Sequence, residues 1–452
     1  MTSPQTFRYT RREFLKQTSL AAAVAGVAFP VGVRACESKD KPRLAGIGVG
    51  GKGWSDIHNT AAAGVVVAFC DVDTGGGRRG GGYGGAAEEW PEARRYTDWR
   101  KLLEVEHKHL DGVTVSTPDH MHAPITMTAI QLGLGTYTQK PLTRTVHEAR
   151  QLTLEARQAG VATQMGNQGH SGRSYRTLVA LVKDGAIGRV KEAHTWSNRP
   201  GWPQGIERPA GSDPAPDRLD WDLWLGVAPE RPYVNDTYHP FKWRGWWDFG
   251  AGALGDMGCH IIDPVVWGLE LGPPTSVRYE GPAPNPETFP AWEIIHYEFP
   301  GTKHTTNQTV EVTWYDGGKL PAAELAALPE GQTLPSNGIL LVGEKGVLLC
   351  EHGGFPRLLP EEQFREYKVP ELEELNHYTE WSRALAGEGQ TTSNFDYAGP
   401  LTETVLLGCI AARFPEQTLE WDSEQLRFTN VRGANEFVRS EYRKGWEVPG
   451  LS

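Results

Sequence analysis

From Arg43 to His170 the chain alternates between short apolar runs of strand character and longer stretches of helical period. No other feature constrains the fold as much. The strand-like runs are "RLAGI", "VVVAFCDVD", "LDGVTVS", "TYTQK" and "VATQM". Between them lie the helical stretches "WSDIHNTAAA", "TDWRKLLEVE", "PITMTAIQLG" and "VHEARQLTLEARQAG". Strands alternating with helices build a parallel sheet wound on both faces. In such a sheet, ligands sit beyond the carboxyl ends of the strands. Gly48, Asp71, Pro118, Lys140 and Asn167 all fall at those ends. Residues 43–165 are therefore read as one doubly wound α/β domain.

The first strand runs into "GVGGKG", where Gly48, Gly50 and Gly53 fit G-x-G-x-x-G. Gly46, Gly48 and Gly51 fit it too, but the later register leaves a longer strand. Glycines let the backbone approach a pyrophosphate, and the next helix start supplies N–H groups and a positive dipole end. An acid about 20 residues on binds the adenosine ribose. Asp71, at the end of the second strand, stands at that distance and favours NAD over NADP. Arg78 and Arg79 just downstream leave NADP as the alternative. The glycine-rich insert "TGGGRRGGGYGGAAEEW" is expected to be a flexible loop on the adenine side.

In "QKPLTRT", Pro141 lacks an N–H and biases Lys140 towards an extended backbone. A long cationic side chain is thus held at a strand tip, in the cofactor crevice. Thr117, Pro118 and His122, in "TPDHMHAP", are further candidates for the cofactor side.

Beyond Lys191 the runs "VKEAHTWSN", "TSVRYEG", "WEIIHYEF", "TTNQTVEVTWYD" and "GILLVGEKGVLLC" suit an open, mostly antiparallel sheet in a second α/β domain, residues 166–452. Between the first two lies "GALGDMGCHIID", with a helix expected from about Gly255. Asp256 and His260 are four apart and share one helix face. A carboxylate beside an imidazole makes His260 a candidate general acid/base. One helix carrying Asp256, His260 and Asp263 is a poor metal site, so no metal is expected.

The formal net charge of −11 argues against nucleic acid and anionic membrane as partners. Sixteen tryptophans supply either extra core or platforms for sugar rings. Trp196, Arg199, Trp202, Trp243, Arg244, Trp246 and Trp247 flank the Asp256 segment and are candidates for such a pocket. Five scattered cysteines form no disulfide framework or zinc pattern.

At the N-terminus, Arg11 and Arg12 precede a small-residue apolar run to about Val33, too short for the roughly 20 residues of a span. Residues 1–36 resemble a twin-arginine export signal. That implies a periplasmic or cell-envelope enzyme, exported folded by the twin-arginine machinery with no span in the mature chain. Arg34 before Cys36 disfavours lipidation.

The ordered set "GVGGKG", "CDVD", "TPDHMHAP", "QKPLTRT", "GNQGH" and "GALGDMGCHIID" resembles the Gfo/Idh/MocA family of glucose–fructose oxidoreductases and inositol dehydrogenases. The resemblance covers nearly the whole mature chain. It implies a Rossmann domain, a second domain whose open sheet mediates homo-oligomers, and Lys140, Asp256 and His260 as the catalytic group; export in the folded state implies that the NAD is tightly held. The typical motif is Glu-Lys-Pro; here Gln139 takes the place of the acid. The implied reaction removes hydride from a sugar or polyol carbinol. His260 takes the hydroxyl proton, Lys140 steadies the oxyanion, and Asp256 orients substrate or His260. The alternative is an NAD-dependent glycoside hydrolase or lyase that oxidises the ring transiently and returns the hydride. A non-catalytic sugar-binding protein on this fold would be expected to lack Lys140 or His260; both are present.

Overall fold

The computed structural model describes residues 41–76 and 81–452. The export segment, Cys36, Arg78 and Arg79 lie outside them. Six strands form the first sheet: β1 (Arg43–Ile47), β2 (Val65–Cys70), β3 (Arg94–Tyr96), β4 (Gly112–Val115), β5 (Gly135–Thr138) and β6 (Thr163–Met165). Their order is β3-β2-β1-β4-β5-β6 and every pairing is parallel. This is the strand order of a doubly wound dinucleotide fold. β4 and β5 are buried at every position, as expected of central strands covered on both faces. Of their three threonines, Thr138 Oγ1 lies 2.8 Å from Thr126 Oγ1, whereas the buried hydroxyls of Thr114 and Thr136 have no partner among the described residues.

Helix Val146–Ala159 shows how local sequence sets these boundaries. Thr145 and Glu148 form a reciprocal capping box at its start. Gly160, at φ 64°, closes it in the left-handed conformation that glycine adopts without strain. The glycine-rich insert departs from the loop expected of it: Gly82–Glu89 is a helix. Burial offsets its poor propensity, because Ala86 is buried and Tyr83 packs edge-on against Phe69 with centroids 5.3 Å apart.

Nine strands form the second sheet: β7 (Val190–Trp196), β8 (Ser276–Glu280), β9 (Ile294–Pro300), β10 (Thr309–Tyr315), β11 (Gly338–Gly343), β12 (Val347–Glu351), β13 (Arg357–Leu359), β14 (Thr418–Asp422) and β15 (Arg427–Phe428). Their order is β13-β12-β11-β7-β10-β9-β8-β14-β15. Only the β7–β10 pairing is parallel, so the sheet is mixed and mostly antiparallel.

Late in sequence the chain returns to the first sheet. Helix His377–Leu385 buries Trp381 and Leu385 with Leu44, Phe69 and Tyr137. Gly112 and Gly135 open the strands for it: a Cβ at either position would run into Leu385. Burying a leucine of this kind contributes about 2 kcal/mol.

Between β7 and helix Gly252–Ile261 lies a mostly irregular lobe with its own aromatic core of Trp224, Tyr233, Tyr238, Trp243, Trp246 and Phe249. It reaches the first sheet just after β2. Asp220 N donates to Val72 O at 3.0 Å and Thr74 N to Arg218 O at 2.9 Å.

Candidate active site

The carboxyl ends of β1, β2, β4 and β5 open on one cleft of about 1350 Å³. Gly48, Gly50, Asp71, Thr117, Pro118, Lys140, Asp256 and His260 line it together. Gly48 has φ 75°, and a Cβ there would lie 2.7 Å from Ser116 O. A Cβ on Gly53 would overlap Gly48 O, so helix Lys52–Thr60 sits on the turn only because Gly53 has no side chain. Gly50 differs: its Cβ would meet only Asp71 Oδ2, at 3.7 Å. Its open side is room for a phosphate. Asp71 Oδ2 accepts from Val49 N at 2.9 Å and Gly50 N at 3.2 Å, tying the acid to the turn. These residues fit a dinucleotide.

Gly53→Ala is expected to weaken NADH binding by at least about tenfold and to lower the melting temperature. Gly50→Ala should weaken NADH while leaving the melting temperature unmoved. Fluorescence titration and thermal melts check both.

Lys140 reaches the second domain. Its Nζ donates to Asp256 Oδ1 at 2.8 Å and to Asp256 O at 2.6 Å. Asp256 belongs to helix Gly252–Ile261, which starts three residues earlier than Gly255. Its Oδ1 also accepts from Arg244 Nε at 3.3 Å, and Arg199 Nε lies 3.5 Å from Oδ2. Against the desolvation that burial imposes, Lys140, Arg244 and Arg199 hold this carboxyl below the usual range. Of the two expectations for Asp256, orienting substrate or His260, the second has no hydrogen bond behind it among the described residues: three cations claim the carboxylate. His260, one turn on, faces His352 with ring centroids 5.6 Å apart, and its Nδ1 has no hydrogen-bond partner among the described residues. Burial, then Lys140 and His352, push its pKa well below 6.5.

Gln139 has a partner that accounts for its amide. Its Nε2 donates at 2.9 Å to buried Asp56 Oδ2, which also accepts from Ser116 Oγ at 2.8 Å. Lys52 pairs with the other oxygen of Asp56. An acid at position 139 would face Asp56 carboxylate to carboxylate; the amide donates instead.

Several expected residues stand elsewhere. Asn167 is fully buried, donating to Asp263 Oδ2 at 3.2 Å and accepting from Ser393 Oγ at 2.6 Å, so it is shut off from the cofactor. The neighbouring Gln168 lines the cleft instead. His122 borders the cleft, but its ring lies between Pro141 O (2.8 Å) and Thr117 O (2.9 Å), bracing two strand ends. Trp196 is buried against Leu340, Leu349 and Leu359. Trp246 belongs to the lobe core, and Trp247 is buried against Phe289 and Arg413. Trp202 is buried with its Nε1 on Gln204 Oε1 at 2.8 Å. None of these four faces the cleft; their faces are used in packing. Arg199, Arg244 and Trp243 do line it.

Sequence reasoning missed Asp119, Asn337 and His352, which also line the cleft. Burial pushes Asp119 up to about 7 despite Arg244 and Lys140, with Asp256 adding to the rise. It also missed a clasp at the mouth. Asp73 Oδ2 lies 2.8 Å from His239 Nε2, and Arg218 Nη1 lies 2.7 Å from both Asp73 oxygens.

A parallel sheet of this order, with a glycine turn and an acid at adjacent strand ends, defines a dinucleotide-binding protein. Residues 44–167 match the oxidoreductase-family NAD-binding Rossmann fold, and residues 193–319 match the C-terminal alpha/beta domain of the same family. Together these span more than half of the chain, which belongs to the Gfo/Idh/MocA oxidoreductase family.

Among its relatives is levoglucosan dehydrogenase of Pseudarthrobacter phenanthrenivorans, 23% identical over 172 residues, covering 37% of this chain and 34% of that protein. D-apiose dehydrogenase of Paraburkholderia graminis is 28% identical over 135 residues, covering 30% and 33%. The chain thus spans about a third of the length of these curated relatives. The WlbA dehydrogenase of Bordetella pertussis, solved with NADH and UDP-GlcNAcA, superposes with a TM-score of 0.57 at 17% identity, over 84% of this chain and 99% of that one. An inositol dehydrogenase homologue of Azotobacter vinelandii, solved with NADH and myo-inositol, gives 0.54 at 18%, over 84% and 98%. These two likenesses show the fold. No helix among the described residues is long and apolar enough to cross a membrane.

Proposed function

We propose that this chain oxidises a hydroxyl of a sugar, polyol or glycoside, with Lys140, Asp256 and His260 as the reacting constellation. The observation that carries this is the convergence of these three side chains on the cleft that also holds Gly48 and Asp71. NAD, when bound, supplies the hydride acceptor. Neutral His260 accepts the hydroxyl proton. Lys140 donates to the developing oxyanion. Asp256 fixes the Lys140 ammonium, and Gly48, Gly50, Gly53, Asp71, Thr117 and Pro118 hold the nucleotide.

A second reading is supported by the clasp of Asp73, Arg218 and His239, which joins the two domains where the adenosine would lie. Such a clasp favours a nucleotide that is retained and recycled. Arg11 and Arg12 support export in the folded state, into a compartment poor in free NAD. Both fit an enzyme that oxidises a glycoside, eliminates the aglycone and returns the hydride.

One experiment tests both. Mature protein is denatured, any released nucleotide is identified by mass, and the native protein is assayed with free sugars and aryl glycosides. Net NAD reduction by a free sugar supports the dehydrogenase. Bound NAD with aglycone release and no net reduction supports the recycling enzyme. Absence of nucleotide affinity overturns both.

A further inference from the structure

Three cations converge on one carboxylate at the inner end of the cleft. Lys140 and Arg244 share Asp256 Oδ1, and Arg199 approaches Oδ2. We propose that the substrate carries an anionic oxygen group, a carboxylate or sulfate ester on the sugar, gripped by Arg199 and Arg244. This rests on the reading of the chain as a carbohydrate oxidoreductase and names the class of carbohydrate.

The charges do not balance without a ligand. Asp256 and the buried carboxyl of Asp119, on which Arg244 and Lys140 also act, supply at most two negative charges against three cations, and uncompensated charge in a half-buried site is costly. Against a chain of net charge −11, this is a local surplus of the opposite sign. Both guanidiniums approach Asp256 through Nε. Arg199 Nη1 donates to Asn198 Oδ1 at 3.0 Å and Arg244 Nη1 to Phe241 O at 3.3 Å. Neither Nη2 has a hydrogen-bond partner among the described residues. Arg244 is also held flat, 4.2 Å from the Trp243 ring centroid and 4.6 Å from that of Phe241. A guanidinium fixed by stacking is pre-organised for a planar, two-oxygen anion.

The pyrophosphate of the nucleotide does not account for these groups. Its glycine turn follows β1, and Lys140 follows β5, two strands away in the sheet. That is roughly 10 Å.

The test uses the nucleotide-loaded full chain. Tryptophan fluorescence is titrated with glucose, galactose and mannose, with their uronates, and with glucose 6-sulfate, while NADH absorbance follows hydride transfer. At least one anionic sugar should bind about tenfold or more tighter than its neutral parent. The uronate and sulfate arms separate the two anions. The double variant Arg199→Gln/Arg244→Gln should reduce that advantage to below about threefold. If it fails to fold, Arg199→Gln alone carries the test, since that side chain is 38% exposed. Equal binding within every pair, or an advantage that survives the substitutions, overturns the proposal. Neutral sugars that transfer hydride with no preference for acids would overturn it and leave the oxidoreductase standing. Preferential binding of acids with no hydride transfer would do the reverse.

Discussion

Lys140→Met is expected to lower kcat for sugar oxidation by about 10³ while the protein keeps its nucleotide. The ammonium has three donors. Two are spent on Asp256, on Oδ1 at 2.8 Å and on the main-chain carbonyl at 2.6 Å. The third is left for a ligand. A hydrogen bond from that proton strengthens as the hydroxyl becomes an oxyanion, so its loss appears in kcat more than in KM. Methionine keeps the apolar stem, and Arg244 and Arg199 still pair with Asp256, so the variant should fold. Arginine would be a poor rescue, because its planar fork does not place one donor where the ammonium does. Steady-state kinetics and the nucleotide content of the purified variant decide the matter. Activity within about tenfold of wild type would remove Lys140 from the chemical step.

The parts of the site that were legible in the sequence are those set by local pattern. The glycine turn, Asp71 and Lys140 each end an apolar run, and the parallel fold brings such ends together whatever the details of packing. Asp256 and His260 share a helix face by spacing alone. Their division of labour was not legible, because Arg199 and Arg244 come from segments whose path no periodicity reveals. The tryptophans misled for a related reason. An indole face serves a core and a sugar equally well, and only the packing of the lobe shows that Trp246 is enclosed. Asn167 follows the end of β6, yet Asp263 and Ser393 draw its side chain inward. Asp119 stands inside "TPDHMHAP", and its signal is the acid itself, buried and accepting from Ala251 N at 3.0 Å. His352 has no local signal at all; the β11–β12 hairpin delivers it across the sheet.

His260→Gln should cost about 10²–10⁴ in kcat/KM and should also change the pH profile. Oxidation needs the unprotonated imidazole. Burial, Lys140 and His352 disfavour its charged form, so the base is lost only as pH falls below 6.5. Wild-type kcat/KM should therefore show an acid limb below 6.5 that the glutamine variant lacks. One other group and one other process could imitate that limb, and each is separable. Asp119, pushed up to about 7 by burial, would give a limb near neutrality that survives His260→Gln and vanishes in Asp119→Asn. Acid unfolding is the other. Burial lowers His120 to about 3, His122 to about 4 and His377 to about 3. Below pH 6.5 the unfolded chain takes up protons that the folded chain refuses, so stability declines from there towards pH 3–4. That decline appears in melting temperatures and persists in the glutamine variant, whereas a limb owned by His260 appears in turnover while the protein is still folded. An acid limb that survives both substitutions at a pH where the melt is unchanged would assign the base to a group other than His260 or Asp119.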